Sequence, residues 1–311
     1  VRTTLTYATA AAVVALIAAG ALPANAAEAG PGSELVAAVA EAAPDLVGSA
    51  APLADTSSGV EADLAQGEVT LPGSSNDPIV AEAADGTTFS VALPEAGSSD
   101  AEVSDGAASY DHGDGSSSVV FVNPDASVTI TSVIEGADSP STFSYEYDVA
   151  LELFADGGVV GYDSDGELAV TIALPWALDA NGRNVDTWYS VEGNTLTQHV
   201  DHRAEGVAYP VVADPVNYGG NFMYTKILQN SSSQGTIISV YPALVKFPLY
   251  SNDTIFANYK AIVPSTYETQ KYRDQLICHV WNAGQLKTPW NLDSWRPNVG
   301  YNATVLALCN P

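Results

Sequence analysis

From Phe89 to Ile172 apolar and polar positions alternate with a period of two. Phe89, Val91 and Leu93 take turns with polar or small residues. Phe143, Tyr145, Tyr147, Val149, Leu151 and Leu153 do so with Ser144, Glu146, Asp148, Ala150 and Glu152. In one strand that spacing sets the apolar residues on one face and the acids on the other. Asp156-Gly157 turns the chain into a run at 159–162, and Asp163-Ser164-Asp165-Gly166 turns it into another at 168–172. Short strands with one wet face and tight turns predict an antiparallel meander closing as a β-sandwich, not a βαβ unit.

The flanking segments read differently. Residues 27–66 are Ala-rich and broken by Pro31, Pro44 and Pro52. They read as a mostly flexible linker, with Ser33 capping a short helix through Leu35, Val36 and Val39 that Pro44 ends. The Gly/Ser/Asp-rich stretch from Glu95 to Gly115 reads as a second mobile piece or a long loop. Ahead of both stand Arg2, an apolar run from Ala8 to Leu22, Pro23 and the small-residue site Ala24-Asn25-Ala26. That order is the order of a secretory signal peptide, residues 1–26. The run falls short of the roughly 20 apolar residues of a membrane span, so a soluble, exported chain starting near Ala27 is expected.

After Val216 the period lengthens. Pro264 followed by Ser265-Thr266-Tyr267-Glu268 has the form of a capping box. It predicts a helix from there to about Ala283 with Gly284 as its stop, burying Tyr272, Leu276 and Val280. The alternation of Tyr301, Ala303, Val305, Ala307 and Cys309 predicts a closing strand.

Charge changes the picture at the same place. The formal net charge is −27, and Lys and Arg are absent from Thr3 through Gly182. The mature chain is an acidic body of about −31 before Val216 and a tail of about +3. Such a body repels nucleic acid and anionic membranes, having few cations to displace their counterions. The tail also holds three of five Trp, eight of fifteen Tyr and both cysteines. An even pair in an exported chain predicts a Cys278–Cys309 disulfide, with a reactive thiol as the rival reading.

Two segments carry resemblances. Residues 173–215 hold a Pro-Trp-Ala strand end at 175–177, an Asn-Thr-Leu-Thr strand at 194–197 and a closing Tyr-Pro-Val-Val-Ala-Asp-Pro from Tyr209 to Pro215. This segment resembles a β-domain of secreted actinobacterial proteins. Residues 278–311 hold Cys278-His279, Trp290-Asn291-Leu292, Trp295-Arg296-Pro297, Val299-Gly300-Tyr301 and Cys309-Asn310-Pro311. They are similar to a domain of unknown function at the C-terminus of exported actinobacterial proteins. The resemblance implies a fold and a habitat, and no reaction.

Candidate chemistry is thin. His199, His202 and Glu205 suggest metal ligands, but a spacing of three along a strand puts the two imidazoles on opposite faces unless the strand ends between them. The acidic turns at 111–115 and 163–167 lack the twelve-residue calcium-loop pattern and read as turns. No metal and no cofactor are expected. His279 is the one weak catalytic candidate, with Glu268, Asp274 and Asp293 as available partners. No nucleophile elbow, zinc-protease helix or phosphate loop occurs. Trp290, Trp295 and Tyr301 with Arg296 suggest a platform for a sugar ring, with core packing as the competing reading.

The expected protein is mainly β: signal peptide 1–26, linker 27–66, acidic β-sandwich 67–215, and a small disulfide-tied α+β domain 216–311. The expected function is a secreted, non-catalytic binding module for cell-wall polysaccharide or a surface protein, without nucleic-acid partner or membrane span. A secreted hydrolase or toxin acting through the tail is the alternative.

Overall fold

The computed structural model describes residues 30–47, 50–56, 59–94, 99–285 and 287–311, so the signal-peptide segment 1–26 lies outside the described residues. Two antiparallel sheets face each other. In the eight-stranded sheet the order is 54–55, 59–64, 67–72, 79–83, 88–92, 142–147, 195–200, 187–192. The second sheet has ten strands, eight of them in the order 150–153, 159–162, 168–172, 216–219, 128–134, 116–122, 107–111, 102–104. The inward residues of both form one core, in which Val69, Leu71, Phe89 and Val91 meet Tyr110, Val120, Ile130 and Ile172. The chain is thus mainly β and antiparallel, as the alternation predicts.

The run from Phe143 to Leu153, expected as one strand, is two. Thr142–Tyr147 belongs to the eight-stranded sheet and Ala150–Leu153 to the other. Between them Asp148 accepts the Ser90 N–H at 2.7 Å, ending one pairing, while Val149 is buried at the crossing. Alternation survives a sheet switch because each half keeps its own period.

Two further expectations are corrected. The 27–66 segment is not mainly linker: it holds helix α1 (Pro31–Ala42), short helix α2 (Pro44–Val47) and strands at 54–55 and 59–64. Val36, Val39 and Ala42 of α1 pack on Ala107, Val119, Phe121, Val133 and Val212, on the outer side of the ten-stranded sheet. Strands 116–122 and 128–134 are accordingly buried on both faces. The helix covers apolar side chains that would otherwise meet water. Likewise, 102–104 and 107–111 are strands within the stretch expected as a loop.

The strand at 216–219 pairs with 168–172 and 128–134, so the chain leaves the sandwich after Gly219, not at Pro215. The C-terminal unit has a sheet of 224–231, 236–242 and 290–293 with helices α3 (Asn252–Lys260), α4 (Gln270–Asn282) and α5 (Tyr301–Leu306). Its core holds Met223, Val240, Phe247, Tyr259, Leu276 and Trp290. Helix α3 lies on the sandwich, where Ala257 packs with Val160 and Leu168 and the Asn258 amide donates to Thr171 Oγ1 at 3.0 Å. A Cβ at Gly158 would run into the hydroxyls of Ser251 and Thr254, so only glycine allows this approach.

Within the unit the capping box does not form. Ser265–Tyr267 is a 3₁₀ turn and α4 starts at Gln270, with Thr269 at its N-cap making no side-chain bond. The buried stripe of Tyr272, Leu276 and Val280 and the stop at Gly284, φ 72°, are as expected. The closing segment is helical, not a strand: Thr304, absent from the alternating set, is its buried residue, and Thr304 Oγ1 donates to Gly300 O at 3.0 Å. A Cys278–Cys309 disulfide ties α4 to the turn after α5, with Cα atoms 5.4 Å apart.

Candidate functional site

His279 sits on the last turn of α4, buried, donating through Nε2 to the Asn291 carbonyl at 3.3 Å. Its ring lies parallel to Trp290 with centroids 6.4 Å apart. Burial lowers its pKa below the usual imidazole range. Neither carboxylate bonds to it. Asp274 Oδ1 accepts from Gln270 Nε2 at 2.7 Å, and Asp293 Oδ2 accepts from Arg296 Nε at 3.1 Å. The nitrogen facing a carbonyl and the ring facing an indole describe a packed histidine.

The aromatic residues separate. Trp290 is 0% exposed, donates from Nε1 to Gly284 O at 3.1 Å, and packs on Phe247 at 5.8 Å. A stacking ring needs an open face, so Trp290 as a platform residue is corrected to core. Trp295 is half-buried with the Arg296 guanidinium 6.0 Å from its ring centroid. Arg296 also donates to the carbonyls of Asn310 and Pro311 at 3.3 Å each, which makes it a clamp on the closing segment. Tyr301, half-buried, opens α5 and packs against the unit's core.

The exposed indole of the unit is Trp281, 42% exposed, one residue past the buried part of α4. Its Nε1–H donates to Asn252 Oδ1 at 2.8 Å, which holds the ring in place. Beside it runs a groove of about 590 Å³, floored by Phe247 and Val280 and walled by Val245, Pro248 and Ala283. An indole tethered by its only donor presents apolar surface at small entropic cost. Its position at the helix end was the available signal in the sequence, since the apolar stripe stops at Val280.

On the sandwich, His199 and His202 do not converge. Strand 195–200 ends between them; His199 shares a 2.8 Å hydrogen bond with Ser190 Oγ, and buried His202 shares one of 3.0 Å with Tyr209 Oη. The acidic segments are closed by their own backbone: Asp163 Oδ1 accepts from the N–H groups of Asp165 and Glu167, and Asp111 Oδ1 from that of Gly113. Among the described residues, no group of three or more His, Cys, Asp or Glu is placed to hold a metal ion. No described helix is long and apolar enough to cross a membrane.

One titratable group escaped the sequence reading. Asp214, inside the closing motif at 209–215, is fully buried. Its Oδ1 accepts from the Trp176 N–H at 2.9 Å and from Gln198 Nε2 at 3.1 Å. Burial pushes its pKa up to about 8, so the acid is neutral below that pH.

Comparison with known proteins supplies kinship without chemistry. A family described as Protein of unknown function (DUF2599) matches residues 232–311. An uncharacterized protein of Mycobacterium bovis and uncharacterized proteins of two Mycobacterium tuberculosis strains are each 30% identical over 117 residues. The alignment covers 32% of this chain and 78% of each relative. No solved structure matches.

Proposed function

The chain belongs to the DUF2599 family of proteins of unknown function, and on that premise we propose that it is an exported, non-catalytic binding module. Its family-defining unit docks an apolar segment of an envelope protein in the groove beside Trp281. The single observation that carries this reading is an exposed, hydrogen-bond-tethered indole at the rim of an apolar groove inside the matched residues. Aromatic anchors over apolar pockets dominate protein–protein contacts, because they release much water for little lost side-chain freedom. The packed state of His279 favours binding over catalysis. Export is supported by the charged, apolar and small-residue order of residues 2–26 and by a disulfide suited to an oxidising compartment.

The test is retention of the mature protein on immobilised proteins extracted from a mycobacterial envelope fraction and freed of polysaccharide. Trp281→Ala should lose retention with little change in Tm, and protease treatment of the immobilised proteins should abolish retention of the wild type. Retention of Trp281→Ala at the wild-type level, or retention that survives protease, overturns the proposal.

A further inference from the structure

The outer face of the eight-stranded sheet carries a second feature, on the other unit and independent of the groove. Strands 142–147, 195–200 and 187–192 are paired side by side, and their outward residues align in rows. Thr142, His199 and Trp188 form the first row; Ser144, Thr197 and Ser190 form the second. Glu146 and Glu192 stand at the two ends of the third. Neighbouring strands are about 4.8 Å apart and successive rows about 7 Å, so the three rows together span the footprint of a short oligosaccharide.

Trp188 is 53% exposed and is the second residue of 187–192, the edge strand of the sheet. Its ring stacks on His199 with centroids 5.1 Å apart and planes within 3°. One face of the indole is therefore covered by imidazole and the opposite face meets water. His199 is in turn held by Ser190 at 2.8 Å, and Ser144 and Thr197 share a hydrogen bond of 2.9 Å. The row beside the indole is thus an ordered line of hydroxyls. A flat ring with one open face, next to hydroxyls and carboxylates, complements a pyranose: its C–H face stacks on the indole and its hydroxyls find donors and acceptors. The strands contribute no cation to this face, and two carboxylates border it. That charge disfavours phosphate- or uronate-bearing polymers.

We propose that this sheet face, centred on Trp188, binds a neutral pyranoside chain. The reading goes beyond the protein-docking groove and uses different residues on a different unit.

The experiment measures affinity of the mature protein for β-1,4-linked hexasaccharides of glucose and of N-acetylglucosamine, with a hexagalacturonate as the anionic comparator. The wild type should bind at least one neutral probe and not the anionic one. Trp188→Ala should weaken that binding by roughly 30-fold or more. Its Tm should hardly move, whereas a purely structural cross-strand pair would lower it. Ser144→Arg blocks the hydroxyl row without touching the Trp–His pair, and should weaken binding comparably even if Trp188→Ala folds poorly. Trp281→Ala should bind the oligosaccharide like the wild type, which separates this proposal from the groove. Absence of binding to both neutral probes, equal binding of the anionic probe, or wild-type affinity in Ser144→Arg overturns it.

Discussion

Asp214 is a residue whose chemistry depends on burial. Its ordinary pKa of 3.8 applies in the unfolded chain, while in the fold burial pushes it to about 8. Between those values the folded state holds a proton that the unfolded state has released. Its contribution to stability is full below the ordinary value and is lost as pH rises through 8. Buried His112, His202 and His279, with pKa lowered by burial, act oppositely below about pH 6.5, where the unfolded chain takes up protons that the fold refuses. The Asp214 effect is therefore cleanest between pH 7 and 8. Wild-type stability should fall there by on the order of 1 kcal/mol per pH unit, and Asp214→Asn should flatten the slope in urea melts read at each pH. The tryptophans give a second residue-scale contrast. Trp290→Ala should cost roughly 3–5 kcal/mol by leaving a cavity, whereas Trp281→Ala should cost under about 1 kcal/mol. Thermal melts of the two variants measure the difference.

Among elements, helix α1 and the disulfide make the sharpest predictions. Val39 is fully buried under α1 against the outer face of the ten-stranded sheet. Val39→Asp should cost about 3 kcal/mol or more, since a lone carboxylate there has no cation to pair with. It should also raise binding of a hydrophobic dye, because Val119 and Phe121 lose their cover. Wild-type stability and unchanged dye binding would falsify the docking of α1. The Cys278–Cys309 bond joins residues 31 positions apart in the chain. Replacing both cysteines by serine should lower stability by roughly 3–4 kcal/mol in the chain-entropy model. Thiol titration of the denatured, non-reduced wild type should find no free thiol.

At the scale of the whole molecule, the change of charge sign near Val216 suggests two units that melt separately, and the structure argues against that. The strand at 216–219 lies in the sandwich, and Ala173 and Val216 pack into the C-terminal core. The buried bond from Asn258 to Thr171 crosses the same junction. Calorimetry should show one cooperative transition. Gly158→Val, which drives a side chain into Ser251 and Thr254, should lower that transition as a whole. Two separate transitions, only one of them moved by the substitution, would count against the shared junction.

Local patterns in the sequence were enough for the strands at 88–92, 159–162 and 168–172, the turns between them and the buried stripe of α4, because each depends on neighbours a few residues away; the disulfide follows from there being only two cysteines. Composition misled where packing is non-local. An Ala-rich segment resembles a linker until an apolar sheet face is present to receive Val36 and Val39. Small alternating residues fit either a strand or a helix until Thr304 finds its buried place. The same limit governs the candidate sites. The sequence names five tryptophans alike. Only the tertiary structure decides that Trp290 fills the core, that Trp281 rims a groove, and that Trp188 lies open on His199. Exposure is set by which distant strand or helix covers a ring, and that is a property of the assembled layers rather than of any stretch of chain.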